Sequence, residues 1–380
     1  MDALLSDDEV ALRDEMRKFL AAESSPALVR AMEKDSSHCA RDLWKKMGDL
    51  GWLGVSLPER CGGQALPITS LGFLFEEAGR YLVPVPLHAS LVAAQLLAKY
   101  GEGHQLEWVS RVAKGDAILS YAVQASDGSW NSQPDGLSGR RVGSVWMLNG
   151  ERGFVDDFAV SDRCLVVFRA EDGEITAALV DPRAAGISHE VLVPTAKDGE
   201  CKVTFRDVEI AASEVVRSGR DLARDLCDLA ALSLAAQLAG AARRDMEFAV
   251  DHAKLREAFE QPIGSFQVIQ HMLVDMLIAV DGVELLAREA FWRMARGLSA
   301  SVEASQAKAF ASERCVVIAR GSQQIHGGMG FMLEFDLHLW YRRIASWALR
   351  AGTSLEHRRL VAHALLDKPG KLRLASPLTV

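Results

Sequence analysis

The sequence predicts a mostly α-helical protein with a β-sheet domain in the middle, and three observations carry this prediction. Apolar residues recur every three or four positions up to about residue 113, and again after about residue 216. Between these regions the period falls toward two and turn residues become frequent. A chain of 380 residues, 49% of them hydrophobic, is long enough for several domains. We therefore predict domains at residues 1–114, 115–215 and 216–380.

The first domain is predicted to be helical from the spacing of apolar residues such as Val10, Met16 and Leu20. Two stretches should interrupt its helices, at residues 51–54 and 58–63. There glycine permits unusual φ angles and proline ends a helix.

The middle domain is predicted to be a small antiparallel β-barrel or sandwich. Its β-rich runs cover residues 117–123, 142–148, 163–168, 175–180 and 201–205. Asn149-Gly150 and Asp172-Gly173 are dipeptides typical of tight hairpin turns, which favours antiparallel neighbours over crossover connections.

The last domain is predicted to be a four-helix bundle. One apolar stripe at helical spacing comprises Phe266, Ile269, Leu273, Met276, Leu277 and Val280. A stripe of this kind is typical of packing between helices and does not by itself indicate a cofactor site.

Charge and cysteine content argue against several classes of protein. The formal net charge of −8 disfavours a nucleic-acid partner, which normally needs a basic surface. The six cysteines lack CxxC spacing and companion histidines, so neither a zinc site nor a disulfide framework is predicted. The N-terminal residues lack the features of a signal peptide, and no apolar run indicates a membrane span. We expect a soluble cytoplasmic protein without a membrane partner.

Two motifs in the last domain bear on function. Residues 256–267 read Arg-Glu-Ala-Phe-Glu-Gln-Pro-Ile-Gly-Ser-Phe-Gln, and residues 323–331 read Gln-Gln-Ile-His-Gly-Gly-Met-Gly-Phe. With earlier motifs at residues 51–63 and 146–150, they resemble in order the signatures of the FAD-dependent acyl-CoA dehydrogenase family. The resemblance covers about residues 7–366. It implies the same three-domain fold, oxidoreductase activity that desaturates an acyl-CoA thioester, and FAD as cofactor.

The chemistry of these motifs suits a cofactor that carries a pyrophosphate. The planar guanidinium of Arg256 can bind phosphate oxygens bidentately, and glycines without a Cβ let backbone N–H groups approach a ligand. By resemblance, the cofactor-binding residues are Arg256, Phe259, Gln267, Gln324, Gly327, Gly328 and Thr353. All but Thr353 would hold the ADP half of an FAD bound mainly to the neighbouring subunit, so oligomerisation would form part of the site.

The resemblance fails at the catalytic base. The family needs a carboxylate that removes the α-proton of the thioester while hydride passes to the flavin. Most members carry it as the glutamate before Gly-Thr, and here that position is Ala351. Others place it about 26 residues before the motif arginine, which here is Ala230. Asp228 and Glu356 are near in sequence, but helix geometry points them elsewhere, so no catalytic residue is predicted.

The positions that would face the flavin ring also depart from the family. Its Thr-Glu-Pro, Gly-Ser-Asp and Trp-Ile-Thr segments read here as Gln124-Ala125-Ser126, Gly128-Ser129-Trp130 and Phe154-Val155-Asp156. The degenerate flavin-ring positions are Gln124, Ser126, Ser129, Phe154 and Asp156. A buried carboxylate beside a flavin that becomes an anion on reduction is electrostatically unfavourable.

These losses spare the residues that act on a neighbour's FAD. They resemble some bacterial family members in which two homologous chains assemble two plus two, one of them supplying the base. We therefore predict a companion subunit of such a heterotetramer, serving lipid or steroid degradation. Its partners would be a homologous acyl-CoA dehydrogenase subunit, an acyl-CoA and an electron-transfer flavoprotein as acceptor. Two alternatives stay open: a stand-alone flavoprotein performing elimination or desulfination, and a non-enzymatic scaffold.

Overall fold

The computed structural model describes residues 4–133, 135–216 and 218–367. Its N-terminal part consists of helices α1 (Asp7–Glu23), α2 (Pro26–Met32), α3 (Arg41–Asp49), α4 (Ile68–Arg80), α5 (Leu87–Tyr100) and α6 (His104–Ala113). A capping box between Ser6 and Glu9 begins α1. The expected interruptions are 3₁₀ turns, where Gly51 and Gly62 have φ angles of 78° and 74°.

One eight-stranded sheet forms the middle of the chain. Its strands are β1 (Leu119–Ala122), β2 (Leu137–Val142), β3 (Val145–Asp156), β4 (Arg163–Ala170), β5 (Ile175–Val180), β6 (Ile187–Val191), β7 (Glu200–Ala211) and β8 (Val215–Val216). The order is β6-β7-β3-β2-β4-β5-β8, and β1 also pairs with β4. The prediction of a wholly antiparallel domain was wrong, because β1 and β2 both run parallel to β4. The segments between these strands are long enough for such crossovers.

Of the two hairpin dipeptides, only Asp172-Gly173 connects two strands, β4 and β5. The hairpin expected at Asn149-Gly150 was wrong, because both residues lie inside β3, where its register against β7 shifts. A Cβ on Gly150 would lie 2.1 Å from the carbonyl oxygen of Gly136, so the glycine serves a close strand contact.

The C-terminal part is helical, with α7 (Gly219–Leu255), α8 (Gln267–Ala295), α9 (Ser301–His326), α10 (Leu337–Trp347) and α11 (Ser354–Leu366). A two-stranded hairpin of β9 (Glu257–Ala258) and β10 (Gln261–Pro262) separates α7 from α8. The predicted fold class is confirmed. In the apolar stripe of α8, Met276 and Val280 are buried, whereas Leu277 is 41% exposed.

Helix α7 is also long and apolar enough, by length and composition alone, to cross a membrane, which the sequence reading did not anticipate. In its most apolar window 83% of the residues are buried inside the protein. The helix packs against α4, α8 and α9, as the central helix of a protein core does.

Candidate functional site

The end of α7 and the hairpin after it carry the first group of predicted cofactor residues. Arg256 is the C-cap of α7 and is exposed. At the hairpin tip Phe259 and Glu260 both have positive φ angles, as the central residues of a type I′ turn do. The Phe259 side chain is 89% exposed as a result. Gln267, also exposed, begins α8.

The end of α9 carries the second group. Gln324 lies exposed on its last turn, and Gly327 ends the helix with a φ of 60°. A Cβ placed on Gly327 or Gly328 would meet no atom within 4 Å, so a ligand can approach this backbone closely.

Two histidines that the sequence analysis did not single out bring these groups together. His252, one turn before Arg256, stacks on His326 with ring centroids 4.4 Å apart. His326 directly precedes Gly327, and its Nδ1 lies 2.8 Å from the carbonyl oxygen of Ser322. Burial lowers the pKa of both imidazoles, so both are neutral at pH 7. The position of His326 inside the glycine motif was the only signal in the sequence.

We call the two groups together the clamp (Arg256, Phe259, Gln267, Gln324, Gly327 and Gly328). Large apolar side chains are exposed in and next to them. These side chains are Leu255, Phe259, Val268, Phe331, Met332 and Leu333. Large apolar side chains that are exposed close together along the chain are typical of protein interfaces. The clamp therefore suits a phosphate-bearing ligand held against a second polypeptide chain.

Thr353 is engaged elsewhere. It caps α11, and its N–H and hydroxyl both donate to Oε2 of Glu356, at 2.8 and 2.7 Å. Its assignment to the cofactor stays a prediction, because both of its donors are already satisfied within the helix cap.

Three of the five predicted flavin-ring positions line a cavity of only about 10 Å³. The structure brings Gln124, Phe154 and Asp156 together there with Ala351. Small-molecule sites usually offer about 300–1,000 Å³, and about 10–15 Å³ suffices for one water. The side-chain amide of Gln124 donates to the carbonyl oxygen of Gly128 at 2.7 Å, so this donor is satisfied within the loop. The residues present do not fit an isoalloxazine ring at this position.

Ser126 and Ser129 lie outside that cavity lining. The Ser126 hydroxyl donates to Glu151 at 3.4 Å, and the Ser129 N–H donates to Asp127 at 2.9 Å. Both serines are thus engaged locally, in the turn that replaces the family's Gly-Ser-Asp segment.

A buried arginine occupies the polar side of the ring site. Arg350 contacts Asp198 at 2.5 Å, Asp156 at 3.2 Å and Glu200 at 3.5 Å, so one cation serves three carboxylates. Burial raises the pKa of Asp156 and Glu200, and the charge of Arg350 offsets this only in part. For Asp198 burial acts in the same direction, but Arg350 outweighs it and the pKa is lowered. The site is a charge network that joins the sheet to the helical bundle.

Both base positions serve as backbone acceptors for buried histidines. Nε2 of His357 lies 2.7 Å from the carbonyl oxygen of Ala351, and Nε2 of His88 lies 3.0 Å from that of Ala230. Burial lowers the pKa of each imidazole to about 4, so both are neutral donors at pH 7. Ala351 itself has a φ of 49°, uncommon for a residue with a Cβ.

The two neighbouring carboxylates, Asp228 and Glu356, are both hydrogen-bonded to other groups of the protein. Asp228 accepts a short hydrogen bond from the Ser301 hydroxyl. Oε1 of Glu356 accepts the N–H of Trp130 at 3.1 Å, while Oε2 serves Thr353. Partial burial opposes ionisation of Glu356, but these hydrogen bonds outweigh it and lower its pKa.

Trp130 separates the ring cavity from a larger one. A second cavity of about 250 Å³ is lined by Trp130, Cys227, Asp228 and His357, and Trp130 lines both. The indole is buried against Gly352, where an added Cβ would lie 3.0 Å from it. The buried indole is therefore a wall that the two cavities share.

Lys308 on α9, which the sequence analysis also missed, holds the turn around Ala351. Its fully buried Nζ donates to the carbonyl oxygens of Gly352 at 2.9 Å and Ala348 at 3.2 Å, and to the Ser312 hydroxyl at 2.6 Å. Burial lowers the pKa of this amine to about 7.

This shift predicts a pH dependence of stability. Between pH 7 and the ordinary lysine value of 10.5 the unfolded chain binds a proton that the folded chain has released, so stability rises with pH. This rise in the free energy of unfolding is at most about 1.4 kcal/mol per pH unit. We expect Lys308→Met to be less stable overall and to lack the rise. Urea unfolding of both proteins between pH 7 and 8.5 measures it. Parallel pH profiles would contradict the assignment.

Comparison with known proteins gives consistent matches. Residues 6–116 match the domain described as "Acyl-CoA dehydrogenase, N-terminal domain", and residues 217–366 match "Acyl-CoA dehydrogenase, C-terminal domain". Acyl-CoA dehydrogenase FadE27 of Mycobacterium tuberculosis is 28% identical over 358 residues, covering 92% of this chain and 94% of that one. A crystal structure of the ChsE4-ChsE5 complex from Mycobacterium tuberculosis aligns with a TM-score of 0.91 and 26% identity, covering 97% of this chain and 100% of that one. A variant of the Tcur3481-Tcur3483 steroid ACAD aligns with a TM-score of 0.88 and 26% identity, covering 95% and 98%.

Proposed function

This chain belongs to the acyl-CoA dehydrogenase family, and on that premise we propose that it is the non-catalytic subunit of a two-plus-two heterotetrameric acyl-CoA dehydrogenase. A homologous partner supplies the base and the pocket for the flavin ring, and this chain completes the FAD site with its clamp. FAD, when bound, supplies the acceptor for the hydride. The observation that carries the proposal is the contrast between the two half-sites.

The chain's own half-site is closed. The ring cavity holds about 10 Å³, and its surroundings are the carboxylates around Arg350. Methyl groups stand at Ala351 and Ala230, and the neighbouring Asp228 and Glu356 are hydrogen-bonded to other groups. A stand-alone flavoprotein of this fold would need the same ring cavity, so this observation disfavours that alternative.

The half-site directed toward a neighbour is open. Arg256 is exposed, the backbone at Gly327 and Gly328 is unobstructed, and apolar side chains surround them. The relatives support the type of assembly and the substrate class, since one aligned structure is a complex of ChsE4 with ChsE5 and another is described as a steroid ACAD. We extend the proposal to a bulky, steroid-like acyl-CoA as substrate of the complex and to an electron-transfer flavoprotein as its acceptor.

Co-expression tests the proposal. Produced together with a homologous chain that retains the glutamate before Gly-Thr, this protein should yield a yellow complex with one flavin for every two chains. Produced alone, it should be colourless and inactive in a dye-reduction assay with acyl-CoA. A yellow, active homotetramer would overturn the proposal, and a complex without flavin would favour the scaffold alternative.

A further inference from the structure

A cavity of about 350 Å³ lies between α1, α4, α7 and α8, and it shares no lining residue with the cavities of the flavin-ring region. Its walls include the buried rings of Phe73 and Phe291 and the half-buried Trp292. Gly72 makes room for this wall, because a Cβ there would lie 2.7 Å from the ring of Phe291. The volume falls in the range of about 300–1,000 Å³ that is typical of small-molecule sites.

A second cavity, of about 250 Å³, adjoins the first and shares Glu76 and Arg288 with it. It is lined by five arginines (Arg13, Arg17, Arg80, Arg243 and Arg288) and four glutamates (Glu76, Glu77, Glu247 and Glu284). Three arginines have close partners, with Arg17–Glu77 at 2.6 Å, Arg80–Glu247 at 2.5 Å and Arg243–Glu284 at 2.8 Å. Arg13 also contacts Asp14 at 3.3 Å, and Arg243 contacts Asp281 at 2.5 Å. An apolar chamber therefore opens directly onto one that is lined by arginines and their carboxylate partners.

Arg288, which belongs to both chambers, is poorly satisfied. Its Nη2 lies 3.5 Å from Glu76 and 3.4 Å from Glu284, both long for charge-assisted hydrogen bonds. Its buried Nε finds no hydrogen-bond partner among the described residues, and neither does that of Arg80. Among the described residues, none of the carboxylate oxygens of the four glutamates is buried without a hydrogen-bond partner. The buried atoms of this cavity that lack a partner are thus both hydrogen-bond donors. A group that satisfies them must be a hydrogen-bond acceptor.

We propose that these joined cavities bind an amphipathic carboxylate of the fatty-acid class, with its carboxylate on the guanidinium of Arg288 and its tail against Phe73, Phe291 and Trp292. A carboxylate suits the unpartnered guanidinium nitrogens of Arg288 and Arg80, because it accepts hydrogen bonds and carries the opposite charge. Burial and the nearby Glu284 raise the pKa of Glu76 to about 7, so its negative charge is partly lost at neutral pH and it repels a bound carboxylate less. The proposal is independent of the chain's role in FAD binding.

Titration calorimetry of the full chain with decanoate tests it, with decanol and acetate as probes of the tail and the head alone. We expect saturable 1:1 binding of decanoate and clearly weaker binding of both others. Absence of saturable decanoate binding would overturn the proposal. Equal affinity for decanol would overturn the role of Arg288.

Two variants locate the site. Arg288→Met should weaken decanoate binding by roughly tenfold or more, the usual effect of losing a hydrogen bond to a charged group. Ala287→Leu keeps the arginine but fills the apolar chamber, and should reduce binding as strongly. Arg359→Met removes an exposed guanidinium on α11 as the matched control and should leave affinity unchanged. Should Arg288→Met not fold, Ala287→Leu decides alone, and undiminished binding by it places the ligand elsewhere and contradicts the proposal.

Discussion

Replacing Arg350 with methionine is expected to lower the free energy of unfolding by about 3–5 kcal/mol, the usual effect of removing one partner from a buried charge network. The substitution leaves Asp156, Asp198 and Glu200 close together without their shared cation. Protonation relieves part of this repulsion, so the loss should be larger at pH 8 than at pH 5.5. Urea unfolding at both pH values measures it.

Arg358→Met is the matched control, because Arg358 lies only eight residues after Arg350 but is exposed and pairs with Glu313 at the surface. Exposed pairs contribute little, so this variant should lose less than about 1 kcal/mol. A similar loss in both variants would show that Arg350 is not held in the network described above.

Replacing Arg256 with alanine should deplete the co-expressed complex of FAD without disassembling it. Charge-assisted bonds to phosphate contribute about 1.5–3 kcal/mol, so FAD affinity should fall by roughly 10- to 150-fold. The loss of FAD is followed by flavin absorbance per complex during dialysis. The change in FAD affinity is measured by titration of the stripped complex with FAD.

Arg141→Ala provides the comparison for that experiment, since Arg141 is an exposed residue of β2 far along the chain from the clamp motifs. Its complex should retain flavin fully. Unchanged FAD content in the Arg256 variant would show that Arg256 does not bind the cofactor. That result would favour the scaffold alternative.

The sequence was sufficient for the fold class because helix and strand periods are local properties. It failed where a local pattern has two structural uses. Asn149-Gly150 fits a tight turn, yet here it serves a register shift inside β3. The parallel pairing of β1 with β4 joins residues more than forty positions apart, and no local period reports it.

The candidate site, too, could be predicted from the sequence only in part. Arg256 and Gly327 each lie in a short sequence motif and could be selected from the sequence. The role of His252 could not, because it stacks on His326, which lies 74 positions away. The departures from the family at Ala351 and Asp156 were visible in the sequence, but the contacts that surround these residues in the fold were not. The cation that gathers the carboxylates, the indole of Trp130 and the amine of Lys308 act through distant contacts.

The closed ring cavity has an evolutionary consequence. A glutamate regained at Ala351 would have to enter about 10 Å³ of space beside the buried carboxylate of Asp156. Trp130, Asp156 and Arg350 line the same cavity, so they would have to change as well. If the chain is the non-catalytic subunit proposed above, a lineage that carries it would therefore depend on keeping the gene of the catalytic partner.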